Sequence, residues 1–153
     1  MISDSEVILR LVLAFLLSGL VGLEREVSGR AAGFRTHILV CIGSTLIMMT
    51  SMSLYYQLGG HSGGVDPSRI PAQVVSGIGF LGAGTIIQIR DSVRGLTTAA
   101  SVWVAAGIGL AVGTGFYVGA VGATALVLIV LFFLSHVERN LVGSKRSRGS
   151  EPE

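Results

Sequence analysis

The sequence predicts an all-α membrane protein, a small-residue-packed bundle of five transmembrane helices with its N-terminus outside and its C-terminus cytoplasmic. Three observations carry that expectation. Mean hydropathy is +0.73 and only 13% of residues are charged, against about 25% in a soluble domain, so the chain lacks the polar residues to cover itself in water. The charges fall in blocks, and between them lie five apolar stretches near the roughly 20 residues that cross about 30 Å of hydrocarbon. Lastly, 22 of the 153 residues are glycine, and small residues let helices approach closely where lipid supplies no hydrophobic force between them.

The first span covers about 7–23. Its leader, MISDSE, is acidic where a signal peptide is basic, and no small-x-small cleavage site precedes Glu24, so the segment reads as retained. The second span, 37–58, holds Cys41, the lone cysteine, which excludes an intrachain disulfide. The third, 71–89, follows a loop containing Pro67. The fourth and fifth cover 96–113 and 116–135, completing a transmembrane domain over 1–136. Residues 137–153 form a short cytoplasmic polar tail whose composition predicts disorder.

Orientation follows from arginine and lysine, which favour cytoplasmic loops. Arg25, Arg30 and Arg35 follow the first span, Arg90 and Arg94 follow the third, and Arg139, Lys145, Arg146 and Arg148 occupy the tail. Only Arg10 and Arg69 fall on the other side. Tyr55, Tyr56, Phe116 and Tyr117 then gather at the outer interface.

Gly77-Ile-Gly79-Phe-Leu-Gly82 matches the G-x-G-x-x-G of a dinucleotide-binding turn. That turn needs a preceding strand and an acid about 20 residues on, whereas residues 96–110 carry no charge. No nucleotide cofactor is expected, and nothing points to nucleic acid. Packing explains the glycines better. Ser101, Ala105, Gly109 and Gly113 recur every four residues, as do Ala14, Ser18 and Gly22, and Gly115, Gly119 and Ala123. Gly77, Gly79, Gly82 and Gly84 crowd the third span at roughly 1 kcal/mol each in lost helix propensity, which leaves two readings: close packing, or a locally broken helix that exposes carbonyls to an ion. Gly33-Phe-Arg-Thr36 and Gly95-Leu-Thr-Thr98 form a faint internal echo, which as a true repeat would set the two arginine-bearing turns side by side.

Candidate site residues cluster at the predicted cytoplasmic ends: Glu24, Arg25, Glu26, Arg30 and Arg35 in the first turn, Arg90, Asp91 and Arg94 in the second. Topology alone needs arginines but no acids. Glu24 adjoins the hydrocarbon edge, where a lone carboxylate is costly, so a cation partner is expected, with Arg94 or Arg35 the nearest candidates. Any metal site is undefined; Glu24 and Asp91 are weak candidates as oxygen ligands for Mg²⁺. His37, His61 and His136 are scattered and read as interfacial polar residues.

The blocks GLEREVSGRAAGFRTH (22–37), AQVVSGIGFLGAGTII (72–87) and RGLTTAASVWVAAGIGLAVGTG (94–115) closely resemble the membrane domain of the MgtC/SapB family of bacterial inner-membrane proteins. The resemblance implies a non-enzymatic, multi-pass inner-membrane domain tied to growth at low magnesium and, in pathogens, to virulence. It also implies regulation of other membrane machines, such as the proton-translocating ATP synthase. Many members append a soluble cytoplasmic domain. Two function classes follow: a regulator acting through a membrane-protein partner, favoured because no acid lies mid-span, or a magnesium transporter working as a homo-oligomer. A homodimer is the default assembly from symmetry alone.

Overall fold

A computed structural model describes residues 2–60, 64–90 and 92–134. Five α-helices dominate: α1 (Asp4–Val27), α2 (Phe34–Gln57), α3 (Arg69–Ala83), α4 (Leu96–Thr114) and α5 (Tyr117–Ile129), the last running on into a π-helical turn, Val130–Leu134. Between α3 and α4 stands a short antiparallel hairpin, β1 (Ile87–Ile89) and β2 (Ser92–Arg94), with Ile87 opposite Arg94. Three helices, α1, α2 and α4, are long and apolar enough to cross a membrane; α5 with its π turn is apolar but shorter.

Local chemistry sets the boundaries. Ser3 accepts from the Glu6 amide, and Asp4 and Glu6 fall in the first turn of α1, where acids complement the helix dipole. Helix α2 has no cap in its own N-terminal residues; Glu26 of α1 accepts from the Phe34 amide at 2.9 Å instead. Asp66 accepts from the amide and hydroxyl of Ser68 at 2.8 and 2.7 Å, and these bonds hold its carboxyl below the ordinary carboxylate range.

The third apolar stretch does not continue as a helix to residue 89. Helix α3 ends at Ala83 and spans roughly 22 Å at 1.5 Å per residue, short of the hydrocarbon thickness. Gly84 caps it, and the chain turns into β1. Gly95 closes the hairpin with φ +92°, and a Cβ there would fall 2.9 Å from the Thr85 carbonyl carbon, so only glycine fits. The G-x-G-x-x-G residues all lie inside α3, in a helix and not in a strand-to-helix turn.

Helices α1, α2 and α4 form the centre; α3 leans on α4 and α2, and α5 on α4 and α1. Ala14, Leu17, Cys41, Ile108, Val112 and Ala120 pack one core cluster, while Ala32, Ile78, Val102 and Ala106 pack a second beneath α3. The four-residue series Ser101, Ala105, Gly109 and Gly113 is buried throughout. A Cβ on Gly113 would lie 2.6 Å from Met48 Cβ and 2.9 Å from the Thr45 carbonyl. Gly109 meets the Cys41 carbonyl and Ser44 in the same way, and Thr45 donates to the Gly109 carbonyl at 2.9 Å. Gly22 brings α1 onto α2, where an added Cβ would be 2.8 Å from Phe34 Cα.

The α3 glycines differ from one another. Gly82 faces Ala99 of α4 at 3.6 Å, but Gly77 and Gly79 have no neighbour within 4 Å of an added Cβ, and Gly84 meets only carbonyls of its own helix. Helix α3 is peripheral and buries only Pro71, Ile78 and Gly82, so the expected packing role of Gly77, Gly79 and Gly84 is not filled within the described chain. Gly115, at φ +86°, ends α4 beside the Arg10 guanidinium, and Gly119 sits against the Phe116 ring.

Candidate functional site

The end of the bundle that holds the α1–α2 turn also holds the start of α4, because α2 and α4 run side by side along their whole contact. There the last turn of α1 and the first turns of α2 and α4 bring Glu24, Arg25, Glu26, Ser28, His37, Thr98 and Ser101 together.

Glu24 and Arg25 form an ion pair through Arg25 Nε and Glu24 Oε2. The other Glu24 oxygen accepts from the Ser28 hydroxyl at 2.9 Å. Arg25 is 2% exposed, one of the largest fully buried side chains in the molecule. The cation expected for Glu24 is therefore its own neighbour, Arg25, and neither Arg94 nor Arg35. Sequence logic overlooked this because adjacent helical side chains diverge. Here α1 is close to its end, and Arg25 is buried beside the carboxylate. A buried charge is tolerated only when paired and hydrogen-bonded, and Glu24 supplies the pair.

His37 corrects a second expectation. It is not interfacial: its exposure is 0%. Nδ1 lies 2.8 Å from the Gly33 carbonyl oxygen, Nε2 lies 3.0 Å from Ser101 Oγ, and Ser101 in turn has the Thr98 carbonyl at 2.9 Å. A serine–histidine contact resembles a nucleophile and its base. Here, however, the serine is buried in mid-helix and the far ring nitrogen faces a backbone carbonyl, so the contact joins α2 to α4. A sequence signal existed in hindsight, since His37 lies one turn inside α2 and Thr98 and Ser101 are three apart on α4.

The remaining charges are exposed. Glu26 is exposed at its edge and spends one oxygen on the α2 N-terminus. Arg30, Arg35, Arg90 and Arg94 are exposed, and Arg90 adopts φ 50° at the hairpin turn. Among the described residues, the ion pairs are Arg25–Glu24 and Arg10–Glu6, so none of these four arginines is tied to an acid there. Asp91 lies outside the described residues, as do His61, His136 and the tail. No cluster of three or more His, Cys, Asp or Glu occurs among the described residues. Each Glu24 oxygen accepts one hydrogen bond, from Arg25 and from Ser28.

Long apolar helices, small-residue contacts at the centre and a buried polar knot at one end define a helical membrane protein. The chain belongs to the MgtC family, whose model matches residues 11–140. It is 44% identical over 128 residues to YhiD of Escherichia coli, whose name proposes a magnesium transporter; the match covers 83% of this chain and 60% of YhiD. It is 41% identical over 134 residues to protein MgtC of Salmonella typhimurium, covering 88% and 54%, and 39% identical over 140 residues to protein SapB of Bacillus subtilis, covering 90% and 60%. The chain thus spans somewhat over half the length of these relatives. No solved structure matches it.

Proposed function

We propose that this chain is a five-span unit of the bacterial cytoplasmic membrane, N-terminus outside, that supports adaptation to low magnesium by regulating another membrane protein of ion or energy homeostasis. The observation that carries this reading is the division of the inner-end charges. Glu24 and Arg25 are consumed internally, whereas Arg30, Arg35, Arg90 and Arg94 remain exposed and supply the cations of a recognition surface. A packed centre supports the same reading: Gly109 and Gly113 draw α4 onto α2 until backbone and side chains touch. Magnesium enters through the name of the YhiD relative, and ATP synthase is one partner of the proposed kind. A role in virulence and a homodimer belong to the same proposal.

The second reading, transport of magnesium by a homo-oligomer, is favoured by the name of the YhiD relative alone. The test is complementation of a strain lacking its own copy, at low magnesium. Glu24→Gln and Arg94→Gln should lose growth support, while Lys145→Gln and Arg146→Gln should keep it. If both inner-end variants accumulate in the membrane and still support growth, the charges are topology signals and the proposal fails.

A further inference from the structure

We infer that His37 is a proton-binding site built into the joint between α1, α2 and α4, a role separate from whether the protein regulates a partner or moves an ion. The Gly33 carbonyl can only accept, so Nδ1, 2.8 Å away, must carry a hydrogen. In a neutral imidazole that leaves Nε2 a bare lone pair facing Ser101 Oγ at 3.0 Å. Ser101 has one hydrogen and two acceptors in reach, Nε2 and the Thr98 carbonyl at 2.9 Å.

Both protonation states are therefore satisfied without moving a heavy atom. With His37 neutral, Ser101 donates to Nε2, and the Thr98 carbonyl keeps the N–H that the helix gives it. With a proton added at Nε2, the ring donates from both nitrogens and the Ser101 hydroxyl rotates to the Thr98 carbonyl. Hydrogen bonding thus opposes neither state, and what resists the added proton is the cost of placing a charge at 0% exposure near Arg25.

The site takes a proton and not a metal, because neither nitrogen has a free lone pair directed at open space. It also has an electrical consequence. The charged groups that face His37 come from α1, Arg25 and Glu24; from α4 the Ser101 hydroxyl approaches. Adding a positive charge there unbalances the Glu24–Arg25 pair, favouring the carboxylate and opposing the guanidinium. His37 is the fourth residue of α2, one turn from the helix end.

The test uses the full chain in lipid nanodiscs, with His61→Gln and His136→Gln so that one imidazole remains, labelled with ¹⁵N. The account expects the hydrogen on Nδ1 in the neutral ring, and both nitrogens protonated on reversible acidification of the folded protein. Ser101→Ala should retain the Nδ1–H form but lower the ratio of protonated to neutral ring about tenfold at a given pH, the excess of a hydrogen bond to the charged ring over the one that the same hydroxyl makes to the neutral ring; Ser101→Thr should restore it. A neutral ring with its hydrogen on Nε2, a ring that stays neutral until the fold is lost, or a Ser101→Ala protein with an unchanged ratio would each overturn the inference. If Ser101→Ala does not accumulate, the tautomer and titration of the parent ring still decide it.

Discussion

Arg10 Nη1 donates to the carbonyl oxygen of Gly113 at 2.6 Å, across 103 positions of sequence. The same guanidinium reaches the Tyr117 hydroxyl through Nε at 3.1 Å and pairs with Glu6. It thereby satisfies a carbonyl in the last turn of α4 and ties that end to α1 and the start of α5. Arg10→Leu should cost about 1.5–3 kcal/mol, the range for a lost hydrogen bond to a charged group. Thermal unfolding in detergent checks it, with Tyr117→Phe expected to lose a smaller part. An Arg10→Leu protein that melts with the parent would reduce Arg10 to a stray surface charge.

The glycines should sort by position. Gly109→Leu forces α4 off α2 and should destabilise by roughly 1–3 kcal/mol through overpacking, seen as lower accumulation and a lower melting temperature. Gly77→Leu meets open space within the chain and should be neutral or gain up to about 1 kcal/mol from helix propensity. Equal losses at both sites would show that Gly77 also packs, against a second chain.

Much of this was legible from the residues, for identifiable reasons. Lipid demands long apolar runs and close small-residue contacts, so the helices and the Ser101–Gly113 series are written at fixed spacing. The early end of α3 was not, because residues 84–89 remain mostly apolar after the helix stops, and apolar content alone cannot distinguish a short strand from a helix. Nor could spacing expose the partners of Arg10, Glu24 and His37. Arg10 was counted only as a minority charge, and the Ser101–His37 contact spans 64 positions, which no local pattern encodes.

Topology has its own check. With Cys41 replaced by Ala, a cysteine at Gln57 should react with an impermeant thiol reagent in sealed cells, and one at Ala31 should not. Labelling at Ala31 from outside would invert the proposed orientation and move the arginine surface away from the cytoplasm.

The claim that the bundle regulates a partner and does not conduct magnesium is tested most directly by flux. Purified protein in liposomes loaded with a magnesium-sensitive dye, under an imposed gradient, should give the signal of empty liposomes, and crosslinking in native membranes should trap a partner protein at the Arg30, Arg35, Arg90 and Arg94 surface. Magnesium entry above the empty-liposome rate that falls in Glu24→Gln, with the fold intact, would contradict the account and establish transport.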